Sequence, residues 1–147
     1  MYHRILVATD GSELSQKTVA SAIALAGVCG AELVAVNVVP FYTQNYFEGG
    51  NVIAAIDVES IEKQWEANAQ TIVDAVKKSA QAKGIRALAL VVKSDAVSDA
   101  LLETATEQNC DLIVMASHGR RGIARLLLGS ETQHVLTHAS VPVLVLK

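Results

Sequence analysis

The sequence predicts a single α/β domain, an open sheet of five parallel strands with helices on both faces. Short runs of branched apolar residues alternate with longer stretches of helical spacing, the pattern of a parallel sheet with right-handed crossovers. The runs are apolar almost throughout rather than at every second residue, as strands covered on both faces are. Only 4% of the 147 residues are aromatic against 51% hydrophobic overall. The core is therefore built from Val, Ile, Leu and Ala, which suits buried parallel strands.

The expected strands are residues 5–8, 33–39, 85–92, 112–116 and 141–146. Helical spacing over 14–28 sets Leu14, Thr18, Ala22, Leu25 and Val28 on one stripe. Over 58–83 it sets Ile61, Trp65, Ala69, Ile72 and Val76 on another, with Glu62, Lys63, Glu66, Lys77 and Lys78 outside it. Shorter helices are expected over 96–109 and 131–139. Asp10-Gly11-Ser12 ends the first strand, and Ser12 is placed to cap the first helix. Gly30 and Gly84 stand where a helix must stop before a strand. Ser94-Asp95 precedes the third helix, and Ser130 with Gln133 matches a capping box before the fourth. Pro142 near the start of the last strand suits an edge. Residues 40–57 form the one long loop, with Phe41, Tyr42, Tyr46 and Phe47 followed by Gly49-Gly50. Such loops are usually functional, and this one is expected to serve as a lid or to meet a second subunit.

Composition narrows the function. Net charge is −3, and no Lys/Arg-rich run offers a footprint for DNA or RNA. The local cluster Arg120, Arg121 and Arg125 either neutralises a small anion or solvates a loop. No run of about 18 uncharged apolar residues exists, so no membrane span is expected. Cys29 and Cys110 lack metal-ligand spacing and read as reduced packing residues. A reducing compartment, the cytoplasm, follows as the expectation.

Ligands of open parallel sheets bind outside the carboxyl ends of the strands, where strand order reverses. Two loops leave those ends. One is Ala8-Thr9-Asp10-Gly11-Ser12. The other begins Met115-Ala116-Ser117-His118-Gly119 and runs to Gly129-Ser130-Glu131-Thr132. In the second, small residues let backbone N–H groups approach an anion, and Gly129-Ser130 opens a helix whose dipole favours negative charge. The Ser130 and Thr132 hydroxyls are candidate donors. Local sequence equally allows a plain turn and a helix cap. Asp10 either serves a ligand, through ribose hydroxyls or a divalent ion, or caps the turn before the first helix.

These two loops, with Ala116-Ser117-His118-Gly119, nine residues and then Gly129-Ser130, resemble the universal stress protein (UspA) family. The resemblance runs the whole chain, 1–147, through to the closing strand. It implies a Rossmann-like, adenine nucleotide alpha hydrolase-like sheet of strand order 3-2-1-4-5. The family's nucleotide-binding branch carries G-x2-G-x9-G-S/T; here Gly119, Gly129 and Ser130 match, and Ala116 replaces the first glycine. An alanine is disfavoured by roughly 1–2 kcal/mol if that position needs positive φ, and costs only a methyl if it needs close approach. By resemblance, Ala8, Thr9 and Asp10 contact adenine and ribose, and Val38 lines the adenine pocket. Met115 and Ala116 sit beside the ribose and α-phosphate. His118, Gly119, Gly129, Ser130, Glu131 and Thr132 surround the phosphates. The ligand is then ATP, or AMP or cyclic AMP, with any Mg2+ arriving on the nucleotide. The family also implies a homodimer through the closing strand, Val141 to Leu146.

Other chemistries fit less well. His134 and His138 have the spacing of zinc proteases, but Val135 occupies the place of the Glu base. His118 has no catalytic partner placed by the sequence, so a phosphate contact is preferred to a general base. Walker and dinucleotide motifs are absent. A phosphoacceptor receiver would use a carboxylate near Asp95, but lacks its Thr and Lys partners. The expectation is a small stress-response protein that signals by nucleotide occupancy, with hydrolysis slow at most. The competing expectation, to which Ala116 gives weight, is an interaction module that binds no nucleotide.

Overall fold

The computed structural model describes residues 1–42, 55–119 and 128–147, with side chains described from 57 in the second segment. Within them the order is β1 (Arg4–Ala8), α1 (Glu13–Cys29), β2 (Glu32–Val39), α2 (Ala55–Ala82), β3 (Ala87–Lys93), α3 (Val97–Glu107), β4 (Leu112–Ala116), α4 (Ser130–His138) and β5 (Val143–Leu146). The strands form one five-stranded sheet ordered β3-β2-β1-β4-β5, and every neighbouring pair is parallel. The expected architecture and strand order are observed. Tyr46, Phe47, Gly49, Gly50, Arg120, Arg121 and Arg125 lie outside the described residues.

Successive strand residues point to opposite faces, and two cores result. Ile5, Val7, Leu33, Ala35, Leu112 and Val114 pack with Ala22, Ile23 and Ala26 of α1 and Val73, Val76 and Ala80 of α2. Leu6, Val34, Val36, Ile113 and Met115 pack with Leu101 and Ala105 of α3 and Val135 of α4. Ile5, Leu6, Val7, Leu33, Val34, Ile113 and Val114 have no exposed surface at all. That explains their near-continuous apolar runs.

Helix faces depart from the expected stripes. On α1 the buried residues are Ser15, Thr18, Ala22, Ile23 and Ala26, while Val28 is 87% exposed. Small side chains meet the sheet because they let the helix come close. On α2 the inward face runs Glu62, Glu66, Ala69, Val73, Val76, Ala80, steps of three and four along one side. The last four of these are buried. Glu62 and Glu66, expected outside, instead meet Lys93 Nζ at the end of β3, at 2.8 and 3.0 Å. Trp65, expected inside, sits at the margin against the Tyr42 ring, with centroids 5.7 Å apart. A stripe chosen by hydrophobicity alone misses a face whose first turns are polar and answered by a lysine. The Lys93 bond and the Tyr42 N–H hold the Glu62 carboxyl below its ordinary range.

Several borders also follow local chemistry. Gly30 and Gly84 stop α1 and α2 with φ of 65° and 75°, a conformation open to glycine. The turn at Gly84 holds Ile85 N against Ala80 O, so β3 begins at Ala87 rather than 85. Pro142 lacks an N–H, and β5 begins at Val143, on the sheet edge. Asp95 accepts from Phe41 N rather than capping α3, and α3 starts after Ala96 with no side-chain cap of its own. No helix among the described residues is long and apolar enough to cross a membrane.

At the amino rim Asp111 joins β1 to β4. Its carboxylate accepts from His3 N at 2.9 Å and Arg4 N at 3.0 Å, and its own N–H donates to Arg4 O. Partial burial works against the charge, but the Arg4 and His3 N–H bonds outweigh it and hold the pKa below 3.8. The stabilisation is therefore present above the unfolded-state pKa and lost as pH falls through the lower folded value. Asp111→Ala is expected to cost about 1–2 kcal/mol at neutral pH, screened by solvent. Urea melts from pH 7 to pH 2.5 should show the gap between wild type and variant closing at the acid end.

Candidate functional site

The two loops that leave β1 and β4 meet at the carboxyl rim of the sheet, on the face covered by α3 and α4. A cleft of about 150 Å³ opens there. Its walls are strand ends (Ala8, Val36, Val38, Met115, Ala116) and the first turns of α3 (Val97, Leu101), with Thr9, Asp10, Ser15, Asn37, His118, Gly119, Glu131 and Thr132 around them. A larger cavity of about 310 Å³ lies near the opposite rim, between the end of α3 and the approach to β5. No charged residue lines it, and burial pushes the Cys110 thiol there up to about 11, which leaves a weak nucleophile. The smaller cleft is the one lined by Asp10, His118 and Glu131.

The β1 loop is built by its own polar groups. Thr9 N donates to Val36 O at 2.9 Å, extending the ladder by one residue. Thr9 Oγ1 lies 3.1 Å from Ser15 Oγ and accepts from Gly11 N. Asp10 Oδ1 accepts from Ser12 N at 2.9 Å, so the carboxylate does shape the turn. Gly11 takes φ 78° within it. Ser12 caps α1 as expected, accepting from Ser15 N.

The β4 loop answers the question posed by Ala116. Among the described residues Asn109 is the one non-glycine with positive φ. Ala116 is instead ordinary strand, paired with Leu146, so the alanine costs no backbone strain. The glycines of the motif serve close approach. Gly129 has φ −60°, and a Cβ there would stand 3.3 Å from Ser117 O and 3.4 Å from His118 Cα. A Cβ on Gly119 would stand 3.2 Å from Asp10 Oδ2, which places the two loops side by side.

Ten expected site residues line the cleft: Ala8, Thr9, Asp10, Val38, Met115, Ala116, His118, Gly119, Glu131 and Thr132. Gly129 and Ser130 stand outside the lining, at the start of α4. Two of the lining residues also make local bonds, and one expected cap is corrected. Thr132 is 2% exposed, and its hydroxyl donates to Ala116 O and Ser117 O at 3.0 and 3.2 Å. It braces the loop and has no second proton for an anion. Glu131 Oε2 accepts from Ser98 N at 2.8 Å; its carboxylate caps α3. The Ser130–Gln133 capping box does not form, because Gly129 is the N-cap and Gln133 Nε2 donates to Leu128 O. Gly129 has no side chain with which to cap α4, and the positive end of that helix's dipole faces the rim.

Ser15, Val36, Asn37, Val97 and Leu101 were not foreseen in the site. Val36 could have been found, since it shares a strand face with Val38 by the two-residue repeat. Val97 and Leu101, four apart on one helix face, reach the cleft only through the packing of α3. Ser117 Oγ lies 3.2 Å from His118 Nδ1, a contact between neighbours that sequence could not orient. Among the described residues no three His, Cys, Asp or Glu side chains gather as metal ligands.

Known proteins share this fold. The profile of the universal stress protein family matches residues 1–147. Universal stress protein MJ0531 of Methanocaldococcus jannaschii is 32% identical over 147 residues, covering 100% of this chain and 83% of its own. The solved universal stress protein UspA from Lactobacillus plantarum superposes with a TM-score of 0.83 at 22% identity, covering 99% of this chain and 98% of its own. A universal stress protein solved in complex with cAMP gives 0.71 at 26% identity, covering 99% and 97%. With the family profile matched over all 147 residues and a relative 32% identical along the whole chain, this chain belongs to the universal stress protein family.

Proposed function

We propose that the rim cleft binds an adenine nucleotide, and that the protein is a regulatory module of the stress response that signals by its occupancy. One observation carries this reading: the slot between Val38, Met115 and Leu101 leads toward the start of α4, whose N-cap is the glycine Gly129. A flat apolar base suits the slot, and an anion suits the helix end. Gly119 and Gly129 add backbone that a phosphate can approach. The cleft's volume of about 150 Å³ falls below the roughly 300–1,000 Å³ of drug-sized pockets. Base and ribose therefore occupy it, with the phosphates outside on the rim. The relative solved with cAMP supports the ligand class.

ATP, AMP and cyclic AMP all fit this division of the ligand. A divalent ion would come with the phosphates of ATP, and hydrolysis would be slow. Within this cleft Asp10 meets the ribose side, and His118 the phosphate side. Both cysteines are free thiols, in keeping with a cytoplasmic protein.

We also assign β5 to self-association. Ile113 N donates to Pro142 O, and Ser117 N to Leu146 O. In a parallel ladder the even-numbered residues of β5 thus face β4, and Val143 and Val145 turn their backbone groups to the open edge. An antiparallel twin strand would pair with those groups.

Calorimetry on nucleotide-free protein with ATP, ADP, AMP and cyclic AMP should give saturable binding of at least one; four flat titrations would leave the interaction module instead. Gly129→Val should weaken that binding about tenfold, or ~1.4 kcal/mol, because its side chain crowds Ser117 O and His118 Cα and displaces the start of α4 from the phosphates. Ala116→Gly should bring no gain in affinity, because it relieves no strain. For the dimer, Val145→Pro removes one outward N–H and spares the β4 ladder. Light scattering should show wild type at twice the monomer mass and the variant at once; a wild-type monomer contradicts the pairing.

A further inference from the structure

We propose that Glu131 makes the rim cleft selective for adenine nucleotides that carry a single phosphate, by the repulsion of its charge. This selectivity rests on the adenine-nucleotide reading of the same cleft, and it falls to one residue. Glu131 is the acidic residue in the first turn of α4, and it lines the cleft together with His118 and Gly119. Among the described lining residues Asp10 and Glu131 are carboxylates, and none is Lys or Arg.

The Glu131 carboxylate stands at the positive ends of two helices at once. The chain places it in the first turn of α4. Its Oε2 accepts from the N–H of Ser98 at 2.8 Å, and Ser98 is the second residue of α3. Negative charge at a helix N-terminus offsets the dipole there, so both ends are partly neutralised before a ligand arrives. The bond to α3 also fixes the charge in position instead of letting it swing away.

Base and ribose fill the cleft of about 150 Å³, so the phosphates lie on the rim near this standing charge. Repulsion grows in proportion to the charge a ligand brings. AMP and cyclic AMP bring one phosphate, and ADP and ATP add further negative charge with each one more. Glu131 is exposed, so salt screens the effect over about 8 Å at physiological ionic strength and keeps it modest. Charge can be separated from architecture at this residue. Glutamine retains an acceptor oxygen for Ser98 N and removes the charge. A residue that only caps α3 moves all ligands together, whereas a charge selector moves ATP more than AMP.

The test is calorimetry on the nucleotide-free full chain with adenosine, AMP, ADP and ATP, at low salt and without divalent ions. Wild type should bind AMP more tightly than ADP, and ADP more tightly than ATP. In Glu131→Gln, shown folded by circular dichroism, the ratio of ATP to AMP affinity should rise about threefold or more. Added salt should shrink that difference between the two proteins. Arg120, Arg121 and Arg125 are present in both, so the change in ratio reports Glu131. A wild type that prefers ATP, or a ratio unchanged in the variant, overturns the selectivity and leaves the nucleotide reading standing. Flat titrations with all four ligands, adenosine included, overturn that reading as well. Should the variant not fold, the wild-type ranking decides.

Discussion

As the chain leaves β4, Ser117 is buried, at 7% exposure, and buried peptide groups must find partners. Its N–H donates to Leu146 O across to β5, and its carbonyl accepts from Gly129 N at 2.7 Å. Thr132 Oγ1 donates to that same carbonyl. Three elements are joined at one residue: β4, β5 and the start of α4. The seat requires a bare α-carbon at 129 and a short hydroxyl at 132. Gly129 belongs to the recognised motif and Thr132 lies two residues beyond it, yet their first task is to build the rim itself. Any ligand contact at α4 depends on that joint holding its N-terminus in place.

Satisfaction of helix ends decides which groups remain for a ligand. At α1 the first turn is capped by Ser12. At α3 the local sequence supplies no cap, and Glu131 reaches across from α4 to accept from Ser98 N. Asp99 of α3 returns the contact through His134. The two helices that cover the cleft are thus tied by reciprocal polar bonds from one to the other. At α4 the N-cap is Gly129, which has no side chain to offer. A helix N-terminus at a cleft is a place where an anion is readily stabilised.

Much of the architecture was legible because buried parallel strands leave a strong mark. Apolar runs such as Ile5–Leu6–Val7 appear wherever both faces of a strand are covered. The glycines at 30 and 84 marked helix ends by a conformation that other residues avoid. Helix faces were less legible. The periodicity of α2 was read from apolar residues, but its inward face begins with Glu62 and Glu66, made tolerable there by Lys93. An ion pair between segments some thirty residues apart leaves no local signature.

By itself the sequence determined the alternation of strands and helices, the two loops at the carboxyl rim, and ten of the residues that line the cleft. Each of these depends on local patterning or on a motif of adjacent residues. Only the tertiary structure decided what those residues do with their polar atoms. Thr132 and Glu131 turned to the backbone of β4 and α3, while the alanine at 116 proved free of strain because its pairing with β5 keeps it extended. A side chain's hydrogen-bond capacity can be counted from sequence. Which partner takes it depends on distances set by packing, and packing brings together parts of the chain that sequence keeps far apart.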